Sequence, residues 1–161
     1  MSRAGEVSRG ATPGGAAGDA GSTIGLLVVT HADLGKGLVQ AAEMIVGPLN
    51  GVATLSLNQG ESLEELRQRL ANAIGNLDSG SGVLVMLDLF GGTPANAAAL
   101  ALDRGRVEAV AGVNLPMLVE AIQHREAISL PTLAARIADA GKGGIRDLRA
   151  DHRERPRKRA K

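Results

Sequence analysis

The sequence predicts an α/β fold built on a mainly parallel, doubly wound sheet with helices on both faces. Two observations carry that prediction. Continuous apolar runs of strand length alternate along the chain with segments of helical period. The runs are apolar at consecutive positions, as strands buried on both faces must be. A third observation bounds the answer. The chain has 161 residues with 44% hydrophobic content and a single aromatic residue, Phe90, so it can bury one core, and that core is aliphatic. With no cysteine, disulfide frameworks, zinc ribbons and thiol catalysis are excluded. No apolar run reaches the roughly 18 residues of a membrane span, and the N-terminus lacks the apolar stretch of a secretory signal. A cytoplasmic protein is expected.

The elements follow in order. Residues 1–22 are dominated by Gly, Ala and Ser with no apolar period and read as a disordered leader. Thr23–Thr30 (TIGLLVVT) is the first buried strand. Leu34–Val46 has Leu34, Leu38, Ala41, Ala42 and Ile45 on one helical face and stops at Gly47-Pro48. Val52–Leu57 alternates as a strand. Ser62–Ile74 repeats Leu63, Leu66, Leu70 and Ala73 at helix period. Gly82–Leu89 (GVLVMLDL) is a continuous apolar strand interrupted by one acid. Pro94–Leu102 is an Ala-rich helix that opens on Pro, where Pro is tolerated. Val107–Val113 is the fourth strand, and Pro116–Ile122 and Thr132–Ala140 are helices. Residues 149–161 carry no core residue and read as a disordered basic tail, which leaves a folded domain over residues 23–148. Right-handed crossovers restrict such an order to a flavodoxin-like sheet with strand order about 2-1-3-4.

Charge is unevenly placed. Residues 146–161 hold 8 Lys+Arg against 3 Asp+Glu, a net of +5, so the rest of this +1 chain is at −4. An acidic body argues against nucleic acid as the partner of the folded domain.

In a doubly wound sheet the functional site lies beyond the carboxyl ends of the strands, at the switch point. Strand one ends in Thr30-His31, strand three in Asp88 followed by Leu89-Phe90-Gly91-Gly92-Thr93-Pro94, and strand four in Gly112-Val113-Asn114. With order 2-1-3-4, His31 and Asp88 stand side by side. A carboxylate bonded to one imidazole nitrogen fixes the tautomer and leaves the other nitrogen as acceptor or nucleophile. An acid inside an apolar run is costly unless paired, and a histidine meets that need. Either residue alone has an ordinary structural explanation; the joint placement is what points to chemistry. His124 and His152 have no such placement. Gly91-Gly92 frees backbone N–H groups to face an anion, and Thr93 suits an N-cap, with Pro94 at the first helical position. Thr30, Asn96 and Asn114 stand near enough to support the site. There is no Walker loop, dinucleotide fingerprint or metal-ligand spacing, so no cofactor or metal is expected. A histidine nucleophile, an orienting carboxylate and anion-binding amides fit a phosphohistidine carrier.

At these residues the sequence resembles the enzyme IIA domain of the mannose/fructose class of the bacterial phosphotransferase system. The matching pieces are Ile24–His31 (IGLLVVTH), Ala41–Met44 with Gly47, Gly82–Asn96 (GVLVMLDLFGGTPAN) and Val110–Leu118 (VAGVNLPML), spread over residues 23–148. The resemblance implies that His31 takes a phosphoryl group on its Nε2 (tele) nitrogen from the histidine phosphocarrier protein and passes it to an enzyme IIB partner. It implies that Asp88 bonds the ring and that Gly91, Gly92 and Thr93 contact the phosphoryl group. It also implies a homodimer that exchanges a C-terminal segment, here about 144–148. Family members that carry a IIB domain continue through a linker, whereas this sequence runs into a basic tail. A separate IIB polypeptide, with membrane IIC and IID subunits that draw the chain to the inner membrane face, is therefore expected. A regulatory phosphoprotein would use the same histidine chemistry. The sister branch serving dihydroxyacetone kinase differs after the aspartate. A receiver domain phosphorylated on Asp88 needs an acidic pair at the end of strand one, where His31 stands with only Asp33 nearby.

Overall fold

The computed structural model describes residues 22–91 and 106–154. Four strands, β1 (Gly25–His31), β2 (Val52–Leu57), β3 (Val83–Leu87) and β4 (Val107–Ala111), form one sheet in the order β2-β1-β3-β4. All three pairings are parallel. The helices are α1 (Leu34–Val46), α2 (Leu63–Leu77), α3 (Leu115–His124), α4 (Leu130–Gly143) and α5 (Leu148–Glu154). The expected helix over Pro94–Leu102 lies outside the described residues, as do residues 1–21 of the leader and 155–161 of the tail.

The period of two along the strands builds two cores. Leu26 and Val28 of β1 and Leu84 and Met86 of β3 face α1, α3 and α4, where they meet Ala42, Leu118, Leu133 and Ile137. Leu27, Val29, Val83, Val85 and Leu87 face the other way and pack on Leu66 and Leu70 of α2. β1 and β3 are covered on both faces, which is why their sequences show no alternation. Each fully buried Leu or Val side chain contributes roughly 1.5–3 kcal/mol.

Helix limits follow from local chemistry. α2 begins with a complete capping box: Glu65 N–H donates to Ser62 Oγ while the Glu65 carboxylate accepts from Ser62 N–H. Asn114 caps α3 by accepting from Met117 N–H at 3.1 Å. Gly82, which leads into β3, has φ +84°, and a Cβ there would stand 2.5 Å from the Arg106 carbonyl oxygen. Only glycine lets β3 and the approach to β4 close together at this point.

One expectation needs correction. Residues from 149 on lack apolar periodicity, yet the chain forms α5 over Leu148–Glu154. The Asp147 carboxylate caps it by accepting from the N–H groups of Arg149 and Ala150, and Arg146 grips Asp151 through two hydrogen bonds of 3.0 and 2.7 Å. A cap and an ion pair build a polar helix without any apolar face. β3 is also shorter than expected, so Asp88 stands just past the strand.

Candidate functional site

The alternation of β1 decides where its last two side chains go. Thr30 turns toward α1, where it is buried and its Oγ1 accepts from Gly35 N–H at 2.7 Å. A Cβ at Gly35 would stand 3.1 Å from that hydroxyl, so a glycine keeps the approach short. His31 turns to the α2 side and leaves the sheet, with its side chain 61% exposed. The next residue, Ala32, has φ +48°, a left-handed conformation that is uncommon outside glycine and bends the chain sharply from β1 toward α1.

β3 lies beside β1 with Val29 paired to Leu87. Asp88 is therefore delivered to the end of β1, where its amide donates to the Val29 carbonyl at 3.2 Å. Its carboxylate holds His31 twice. Oδ2 accepts from the His31 backbone N–H at 2.8 Å and lies 3.0 Å from Nδ1; Oδ1 lies 3.2 Å from Nδ1. A carboxylate at these distances assigns the ring proton to Nδ1 and leaves Nε2 as the unprotonated nitrogen of a largely exposed ring. Half-burial acts to raise the Asp88 pKa. The His31 amide, the His31 ring and the Leu89 amide outweigh it, and the carboxyl stays below its ordinary value.

A cleft of about 790 Å³ opens next to the ring. One wall is Leu89, Phe90 and Gly91, with Leu89 63% and Phe90 86% exposed. The opposite wall is the loop after β2, with Asn58, Gln59 and Glu61, and Leu57 and Leu66 form the apolar floor. Gly91 has φ +106°, which glycine alone adopts freely. Among the described residues no group of His, Cys, Asp and Glu is arranged to hold a metal ion.

The structure thus brings together His31, Asp88 and Gly91. Thr30 supports the site from beneath, by fixing the first turn of α1. Asn114 is not brought to the histidine: its side chain caps α3 and its Nδ2 donates to the Gly141 carbonyl at 3.4 Å. Gly92, Thr93 and Asn96 lie outside the described residues. Sequence reasoning missed Glu61 and the residue that holds it, Arg69, because a loop residue and a helix residue eight positions apart share no local pattern. Nor does any sequence signal mark the left-handed turn at Ala32.

Comparison with known proteins gives the family. The family model for the phosphotransferase system (PTS) fructose IIA component matches residues 25–138. The mannose-specific EIIAB component of Escherichia coli K12 is 35% identical over 130 residues, which cover 80% of this chain and 40% of that protein. The chain therefore spans well under half the length of that relative. The fructose-specific EIIA component of Bacillus subtilis is 35% identical over 112 residues, 68% of this chain and 76% of the relative. The crystal structure of the PTS IIA protein associated with the fucose utilization operon of Streptococcus pneumoniae superposes with a TM-score of 0.73 at 30% identity, covering 83% of this chain and 99% of that one.

Proposed function

The chain belongs to the mannose/fructose IIA family of the sugar phosphotransferase system, whose members are phosphotransferases that carry phosphoryl groups in sugar transport, and on that premise we propose that His31 is the residue that carries the group here. The observation that carries this reading is the double hold of Asp88 on His31, which leaves Nε2 without a hydrogen-bond partner among the described residues on a largely exposed ring.

The step balances simply. The Nε2 lone pair attacks the phosphorus of a phosphohistidine on the histidine phosphocarrier protein. The new N–P bond forms as the donor N–P bond breaks, and the electron pair returns to the donor ring. Positive charge that develops on the His31 ring is met by Asp88 through Nδ1–H. The amides that follow Asp88, with Gly91, Gly92 and Thr93 as the candidates, neutralise the phosphoryl oxygens. The same step in reverse sense delivers the group to an enzyme IIB partner, and membrane IIC and IID subunits complete transport and hold the chain at the cytoplasmic membrane face. Among the described residues no helix is long and apolar enough to cross a membrane. Homodimerisation is part of this reading. It is supported by β4, which has no neighbour on its outer side among the described strands, and by the exposed Ile145 and Leu148 that follow α4.

The test is phosphorylation from phosphoenolpyruvate with enzyme I and the phosphocarrier protein. The expected label survives base, is lost in acid and is absent from His31→Ala. Label in that variant removes His31 from the role, and a base-labile label points to an acyl phosphate on Asp88.

A further inference from the structure

The wall of the cleft opposite Phe90 is held by an ion pair that the reaction at Nε2 does not use. The Glu61 side chain is 7% exposed. Both of its oxygens accept from Arg69 Nη1, at 2.6 and 2.8 Å. Arg69 Nη2 donates to the Ser56 carbonyl of β2 at 3.0 Å, so one guanidinium ties the loop to the sheet from α2. Glu61 also closes the loop on itself: its Oε2 accepts from Asn58 N–H, and its own N–H donates to the Asn58 carbonyl, each at 3.3 Å. Gly60, at φ +80°, makes the turn between them. This loop begins directly after Leu57, the register partner of His31.

The pair is therefore a brace for Asn58 and Gln59, which stand exposed at the rim of the cleft while touching neither the ring nor Asp88 in any hydrogen bond among the described residues. A protein that brings a phosphorylated side chain to Nε2 must lie across this cleft. It would meet Phe90 and Leu89 on one side and the Asn58–Gln59 rim on the other.

Resting on the reading of His31 as the phosphoryl acceptor, we propose that Arg69 and Glu61 are positioning residues that set the affinity for the donor protein by fixing the Asn58–Gln59 rim, with no part in the transfer step. Loss of Arg69 leaves a buried carboxylate without its counter-charge, and the loop must move to hydrate it. Arg69→Lys keeps the charge and part of the bonding but lacks the second nitrogen that reaches Ser56.

The experiment measures initial rates of label transfer from the phosphorylated histidine phosphocarrier protein to the full chain across donor concentrations. Arg69→Met should raise KM about tenfold with kcat within about twofold of wild type, and Arg69→Lys should recover part of the loss. An unchanged KM, or a fall in kcat at constant KM, overturns the proposal. If Arg69→Met loses its cooperative thermal transition, Gln59→Arg, a change of an exposed rim residue, replaces it; a rise in KM with kcat kept is then expected, and an unchanged KM refutes the role of the rim. A wild-type chain that takes no base-stable label brings down the acceptor assignment and this inference together. Normal labelling with insensitive variants brings down the brace alone.

Discussion

Asp78 and Asp88 flank the same strand, one ahead of β3 and one behind it, and each is held below its ordinary pKa chiefly through hydrogen bonds that overcome its burial. Their partners differ. Asp78 Oδ1 accepts from the N–H groups of Gly80 and Gly82, at 2.8 and 3.0 Å, and Oδ2 faces Arg106 at 3.3 Å. All of these groups belong to the turns that join elements. Asp88 takes the amide and the ring of a largely exposed histidine. At the amino ends of the strands the carboxylate closes a loop on itself. At the carboxyl ends the same chemistry is turned toward a group that meets solvent. A lowered carboxylate pKa thus marks a strong hydrogen-bonding environment, and only the identity of the partner separates scaffold from site.

Exchange experiments put that contrast to the test. The largest effect belongs to Asp88→Asn, which frees the His31 tautomer: transfer should slow about a hundredfold or more while the chain still folds cooperatively with a modestly lowered thermal midpoint. Rapid-quench kinetics together with a melting curve decide it, and unchanged transfer removes Asp88 from the mechanism. Asp78→Ala should show the opposite profile, a loss of roughly 1 kcal/mol or more in urea denaturation with transfer near wild type. A smaller effect is expected from acid. Both folded-state pKa values lie below the ordinary value, so the unfolded chain binds more protons there. Their contribution to stability is in full force above about pH 4 and declines as pH falls further. Urea midpoints between pH 5 and pH 3 should fall less steeply in Asp78→Ala than in wild type. The smallest is Thr30→Val, which leaves Gly35 N–H without its acceptor and should cost about 1 kcal/mol. Its effect on transfer should be slight, since the hydroxyl lies beneath the site.

What the sequence made legible follows from where each signal resides. The strand runs, their order and the His31–Asp88 pairing depend on periodicity and on topology rules that act over the whole sheet, and the parallel order β2-β1-β3-β4 agrees with them. Asn114, by contrast, stands at a strand end like the others, yet its side chain completes α3 and reaches Gly141. Position at a strand end does not reveal which way a side chain turns. α5 escaped because an Asp cap and an Arg–Asp pair hold it without apolar spacing. The Glu61–Arg69 brace escaped because loop geometry decides it. Ala32 shows the same limit in the backbone, since nothing about alanine announces a positive φ.

The bond between His31 and Asp88 spans 57 positions in the chain and exists only once β1 and β3 have paired. An unfolded or half-assembled chain holds both residues but not the fixed tautomer. If His31 carries the phosphoryl group as proposed, its acceptance is a report on completed folding: in a refolding mixture, labelling should follow the appearance of the β1–β3 pairing and ignore chains that have formed helices alone. On that proposal the chemistry carries its own proofreading, because the sheet must be correct before Asp88 can hold the histidine.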